Sequence, residues 1–205
     1  MPKKVTLFSY SKKKEKKDKI PDKHIINFLK SQKKSRILFI GFAMSAYYAD
    51  KQGFKVTIVD DDLGAIKDGK ALNSRVTHEY NEFFNYSKGS RKDSFDIIVD
   101  KGYSQTLRRN KTGKFYKEIA KLLTFNGKLL TKVYSTTDSY CIEHCPKRHW
   151  TYIENNYLNF FTKQRLLKLL HINFKVQKYS LEKYIENEKI RTYHFVVSVL
   201  KVMKL

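Results

Sequence analysis

The residues best placed to do chemistry stand at the ends of short apolar runs. "KVTIVD" closes on Asp60, and a carboxylate at the end of a buried strand can accept two hydrogen bonds from a ribose diol. Asp61 and Asp62 follow it and suit a turn and a cap for a helix containing Ala65 and Ile66. "RILFIGF" runs into Gly41, Ala43 and Ser45, small residues at alternating positions where backbone can come close to a ligand. "FDIIVDKG" closes on Asp100, followed by Lys101, Gly102 and Tyr103, whose ring could line a pocket through cation–π contact.

These positions act together only in a frame that brings strand ends to one edge. "PDKHIINFLKSQKK" reads as a short helix with Ile25, Ile26, Phe28 and Leu29 on its apolar face. "RILFIGF" is then a buried strand, "AYYADKQG" a helix ending at Gly53, and "KVTIVD" a second strand. "LGAIKDGKALNS" is helical, "RVTHEYNEF" a weaker strand and "SFDIIVDKG" a strong one. "GKFYKEIAKLLTFNG" is expected to be a helix capped by Gly127, ahead of the strand "KLLTKVYS". Such alternation builds βαβ units and a mostly parallel sheet. After the amphipathic helix "FTKQRLLKLLHINF", the strands "FKVQKYSLEKY" and "TYHFVVSVLKVM" are too closely joined for a crossover and must pair antiparallel. The fold class is therefore α/β: a Rossmann-like, mostly parallel sheet with helices on both faces and a C-terminal antiparallel strand hairpin.

A chain of 205 residues, 41% hydrophobic and 14% aromatic, is large enough for one domain with a core. That domain is expected over residues 21–205, with residues 1–20, dominated by "KKKEKKDK", as a basic flexible tail. The net charge of +22 favours polyanionic partners such as RNA or an acidic protein surface. No apolar run is long enough to cross a bilayer and the N-terminus has no hydrophobic segment for secretion, so an intracellular protein without membrane contact is expected. Cys141 and Cys145 are too close in sequence to staple distant parts, which suits a reducing compartment.

With this order of elements, the chain resembles the class I S-adenosylmethionine-dependent methyltransferases over roughly residues 22–205. "FDIIVDKG" with "YSQTL" resembles the "DKG" signature of lysine methyltransferases that modify elongation factors; "KQGFKVTIVDDD" and "FFTKQRLLKLL" resemble the small tellurite-resistance-type methyltransferases. The resemblance implies S-adenosyl-L-methionine as cofactor, bound by Gly41, Ala43, Ser45, Asp60, Asn81 and Asp100. Asn81 is preferred over Glu79 and Glu82 for the adenine amino group. The catalytic edge would be Asp100, Lys101, Gly102 and Tyr103, with Asp100 orienting an incoming amine. Departures stand beside these matches: Phe39 occupies the place of an acidic residue, and only Gly41 remains of three alternating glycines. The acceptor would be a macromolecule, protein lysine ahead of RNA.

Segment 136–158, with Tyr140, Arg148 and Trp150, reads as an extended loop over the substrate face. Arg108 and Arg109 fall on the same edge and, with Lys111 and Lys147, suit a phosphate-rich or acidic acceptor. Cys141, His144, Cys145 and His149 are the right types for zinc, but adjacent His144 and Cys145 rarely reach one ion, so no metal is assigned. Two rivals remain: a catalytically inactive domain of this fold serving as a basic RNA-binding or scaffolding module, and an NAD-dependent oxidoreductase, disfavoured by the C-terminal hairpin and the missing G-x-G-x-x-G.

Overall fold

The structure, a computed structural model, describes residues 21–41, 43–72, 75–153, 156–186 and 189–200. The expected tail, residues 1–20, lies outside the described residues. The chain opens with helix α1 (Lys23–Lys30), then alternates β1 (Arg36–Ile40), α2 (Met44–Lys51), β2 (Lys55–Asp60), α3 (Leu63–Leu72) and β3 (Thr77–Tyr80). It continues through α4 (Phe83–Gly89), β4 (Phe95–Asp100), α5 (Tyr103–Thr106), α6 (Arg109–Leu122) and β5 (Leu123–Tyr134). Helix α7 (Ser139–His144) and the hairpin β6 (Trp150–Ile153) and β7 (Asn156–Asn159) precede α8 (Lys163–His171), β8 (Phe174–Glu186) and β9 (Lys189–Leu200).

Seven strands form one sheet in the order β3-β2-β1-β4-β5-β9-β8. The first five are parallel, whereas β9 inserts antiparallel between β5 and β8. The sequence expectation of a parallel sheet closed by a strand hairpin is thus met. Strand periodicity divides the core in two. Ile37, Phe39, Ile58, Ile97, Val99 and Leu130 pack against α1, α2 and α3 on one face. Leu38, Ile40, Val59, Ile98 and Leu129 meet α4, α6 and α8 on the other.

Two local expectations fail for identifiable reasons. Helix α6 stops at Leu122, and "TFNG" belongs to β5, whose pairing with β4 slips between Phe95 and Ile97. Asn126 takes a φ of 58°, and a Cβ at Gly127 would meet the Thr124 carbonyl at 2.8 Å. This asparagine–glycine pair therefore serves a strand irregularity rather than a helix cap. Segment 136–158 is not one extended loop either: it carries α7 and the β6–β7 hairpin, over a third core cluster of Cys141, Cys145, Leu158 and Phe160.

Candidate functional site

The C-terminal ends of the parallel strands gather the sequence-selected residues along one edge, where ligands of open α/β sheets bind. Gly41 follows β1 with φ 86°, a left-handed conformation in which a side chain is strained, and its N–H bonds the Val59 carbonyl at 2.8 Å. Ala43 has φ −151° and ψ 129°, extended backbone open to any residue, so replacement of a glycine costs nothing there. Its methyl is 1% exposed and packs in the core cluster beneath α1 and α2. A bulkier side chain at 43 would therefore disturb core packing before it met any ligand. Ser45 is also fully buried, and its Oγ accepts the Asp22 N–H at 2.9 Å, which docks the start of α1 onto α2. The one glycine kept in this loop is the one its backbone requires.

Asp60 ends β2, 4% exposed, and one carboxylate oxygen accepts the Asp62 N–H at 2.9 Å. Asp62 caps α3 through the N–H groups of Gly64 and Ala65, as expected from sequence. Asn81 lies beside Asp60, its N–H bonding the Asp60 carbonyl at 2.9 Å. Tyr80, unnoticed in the sequence, pairs in register with Asp60 and is 57% exposed.

Asp100 ends β4, level with Ile40, and is fully buried. Its carboxylate accepts the Ser104 N–H at 3.1 Å and the Ser104 hydroxyl, while Tyr116 donates to the same Ser104 Oγ at 3.1 Å. Asp100 thus holds the turn into α5 from inside. Gly102 makes that turn possible at φ 91°. Tyr103 packs on Phe83 and Phe115, and its hydroxyl reaches Glu82 at 3.5 Å. Burial, with Glu82 and Asp61 adding negative charge nearby, raises the Tyr103 phenol well above its ordinary value. Lys101 takes the opposite side, near Asp22. There Lys132 donates to the Asp22 carboxylate at 2.5 Å and lies 4.6 Å from the rings of both Tyr184 and Tyr193. Beyond the end of β4, Tyr103 thus meets Glu82, and Asp22 pairs with Lys132 within reach of the Lys101 charge.

Burial pushes the Asp100 carboxyl up to about 6, against the opposing pull of hydrogen bonds from Ser104, Tyr103 and Gly102. The folded chain then keeps a proton that the unfolded chain has released, so stability falls as pH rises from about 4 to about 6. Asp100→Asn carries no charge and should flatten this slope, gaining on the wild type by about 3 kcal/mol between those limits. Urea unfolding across that range measures it; parallel profiles for the two proteins would show that Asp100 does not titrate there.

The acceptor-side residues divide into two groups. Arg148 lies over Trp150, its guanidinium carbon 5.8 Å from the ring, and Trp150 stacks on Tyr157 at 5.7 Å. The Tyr157 hydroxyl lies against the Arg109 backbone N–H at the start of α6. Arg108 is exposed and precedes α6. Tyr140 stands apart, stacked between Phe160 and His144 in the third core cluster. Cys141 and Cys145 are buried thiols with sulfurs 3.6 Å apart, and no His, Cys, Asp and Glu group among the described residues could hold a metal ion. No helix among those residues is long and apolar enough to cross a membrane.

Solved structures superpose on most of this chain. A methyltransferase from Methanosarcina mazei matches with TM-score 0.73 and 16% identity, over 90% of this chain and 100% of that one. The chain has the fold of the class I S-adenosylmethionine-dependent methyltransferases. Burkholderia thailandensis 1,6-didemethyltoxoflavin-N1-methyltransferase, solved with S-adenosylhomocysteine, has the same methyltransferase fold: TM-score 0.70, 17% identity, 88% and 78% of the two chains. TehB from Haemophilus influenzae gives TM-score 0.67 and 13% identity over 87% of this chain and 62% of its own. No family model matches the sequence, and no curated protein matches it.

Proposed function

We propose that the chain is an S-adenosylmethionine-dependent methyltransferase with a macromolecular acceptor. The observation that carries the reading is the loop after β1: its departures from three glycines fall where the backbone is extended or the side chain turns inward, and Gly41 stays where φ is 86°. Residues present fit the cofactor. Gly41 would let backbone approach the methionine part, Asp60 would accept from the ribose hydroxyls, and Asn81 would meet the adenine amino group. The bound cofactor would supply an electrophilic methyl group on a positively charged sulfur. A basic chain gathers carboxylates at this edge, namely Asp22, Asp60, Asp61, Glu82 and Asp100, which suits a cationic ligand. The chain's own contribution is to position the acceptor and exclude water.

The macromolecular acceptor is supported by the basic rim of Arg108, Arg109 and Arg148 rather than by the "DKG" segment. Asp100 is committed to Ser104 and fully buried, so it makes no direct contact with an incoming amine. A second reading, an inactive domain of this fold, is favoured by Phe39, which is wholly buried in apolar surroundings where the family places a carboxylate. Titration calorimetry with S-adenosylmethionine separates the two. Binding is expected, and Asp60→Ala should weaken it by about 1–3 kcal/mol as the ribose hydroxyls lose their acceptor. Unchanged affinity in the variant would reduce Asp60 to a turn residue, and no binding by the wild type would leave the inactive reading.

A further inference from the structure

The β6–β7 hairpin has two unlike faces. Ile153 and Leu158 turn inward onto the third core cluster. Trp150, Tyr152 and Tyr157 share the other face, with Tyr152 edge-on to both neighbours at 6.0 and 5.7 Å and 52% exposed. Cross-strand aromatic pairs can stabilise a short ribbon by themselves. Their setting goes further. Arg148 stacks on Trp150, and Arg109 lies beside Tyr157 and Arg165. Arg165 is half-buried and makes no ion pair among the described residues; its guanidinium donates to Asn159 Oδ1 at 2.9 Å and covers Phe161. With that oxygen committed, the buried Asn159 amide nitrogen is a donor without a protein acceptor. Arg109, Arg148 and Arg165 make no ion pair among the described residues, so donors and cations accumulate here.

Planar aromatic faces interleaved with arginines match one chemistry closely: unpaired bases that stack, linked by phosphates that need cations. An acidic protein would use the charges and leave the rings idle, and a duplex would keep its bases stacked away from them. We propose that the outer face of this hairpin binds single-stranded nucleic acid, with bases on Trp150 and Tyr152 and phosphates at Arg109, Arg148 and Arg165. The hairpin adjoins α5, next to the end of β4, so a strand held there would present its bases to the site edge. That last step rests on the methyltransferase reading; strand binding does not.

The test is fluorescence anisotropy of the full chain with a labelled strand of roughly ten nucleotides, in ribose and deoxyribose form, and with the matching duplex. Trp150→Ala and Tyr152→Ala are each expected to weaken single-strand affinity about tenfold and to leave the duplex unchanged. Arg148→Ala should lower the salt dependence by about 0.7 in the log–log slope for the strand. Trp150→Tyr, which keeps a ring, should stay within about threefold of the wild type, guarding against loss by misfolding. Alanine variants that bind like the wild type, a duplex bound as tightly as the strand, or displacement by polyglutamate at equal charge would each overturn the proposal. The two sugar forms distinguish RNA from DNA. Calorimetry with S-adenosylmethionine is read separately, so a strand-binding protein without cofactor affinity refutes the enzyme and not the surface.

Discussion

Replacing Asp138 with alanine is expected to cost about 3–5 kcal/mol of unfolding free energy, the largest loss from any single carboxylate among the described residues. Asp138 is fully buried just after β5 and serves two elements. One oxygen accepts the Arg191 Nε at 2.9 Å and the Thr192 N–H at 2.8 Å from β9; the other caps α7 at the Tyr140 N–H. Removing it strands a guanidinium whose side chain is 18% exposed and which then rests against the Tyr134 ring 4.2 Å away. An unpaired charge in such a position costs more than the pair ever contributed. Asp138→Asn keeps one acceptor oxygen while giving up the charge and should lose about half as much. Urea unfolding with an unchanged slope would report the stability, and faster amide exchange at Tyr140 and Thr192 would locate it. A loss below about 1 kcal/mol would mean that neighbouring groups or water replace the carboxylate. The functional consequence is direct, because Asp138 moors the segment that carries the β6–β7 hairpin.

Strands whose apolar runs are continuous were legible because burial on both faces leaves little else they could be. "RILFI", "KVTIVD" and "FDIIVD" became β1, β2 and β4, and their ends placed Gly41, Asp60 and Asp100 on one edge. The β6–β7 hairpin was not legible. Four residues on each side, carrying Trp150, Thr151, Tyr152 and Tyr157, alternate too briefly to give a period. Helix α4 was not legible either: Phe83, read as the end of the strand "RVTHEYNEF", opens the helix and packs on Phe115, 4.8 Å away.

At the site itself, the sequence located positions better than roles. Asp100 occupies the edge expected of it, yet Ser104 lies four residues on, one helical turn, and closes on the carboxylate. A polar residue at that spacing after a strand-ending aspartate is a capping signal that was available in "DKGYS". Asp22 shows the limit of local reading. It caps α1, but its partner Lys132 stands 110 positions away and nothing local couples them.

That pairing makes Asp22→Ala the second large effect, expected at about 3–4 kcal/mol from the lost cap and the broken buried pair together. The side chains of Lys132 and Asp22 are only 10% and 8% exposed. The carboxylate also accepts the N–H groups of His24 and Ile25, so the first turn of α1 loses its acceptor in the same substitution. Asp22→Asn retains the cap and isolates the charge. Lys132→Met keeps the cap and the apolar packing between Tyr184 and Tyr193 but leaves the buried Asp22 carboxylate without its counter-ion, so it should cost about as much as Asp22→Ala. Burial alone would raise the Asp22 carboxyl, but Lys132 and, further off, Lys101 bring it below 3.8. A depressed folded-state value means that the ionic contribution is complete above that pH and is lost as pH falls through the folded value. The stability gap between wild type and Asp22→Asn should therefore be full at neutral pH and close in acid below about pH 4. A gap that persists unchanged in acid would assign the effect to hydrogen bonding alone. Because the Asp22 N–H is also what Ser45 accepts, loosening α1 exposes the loop that follows Gly41, and cofactor affinity should fall together with stability in Asp22→Ala but not in Lys132→Met.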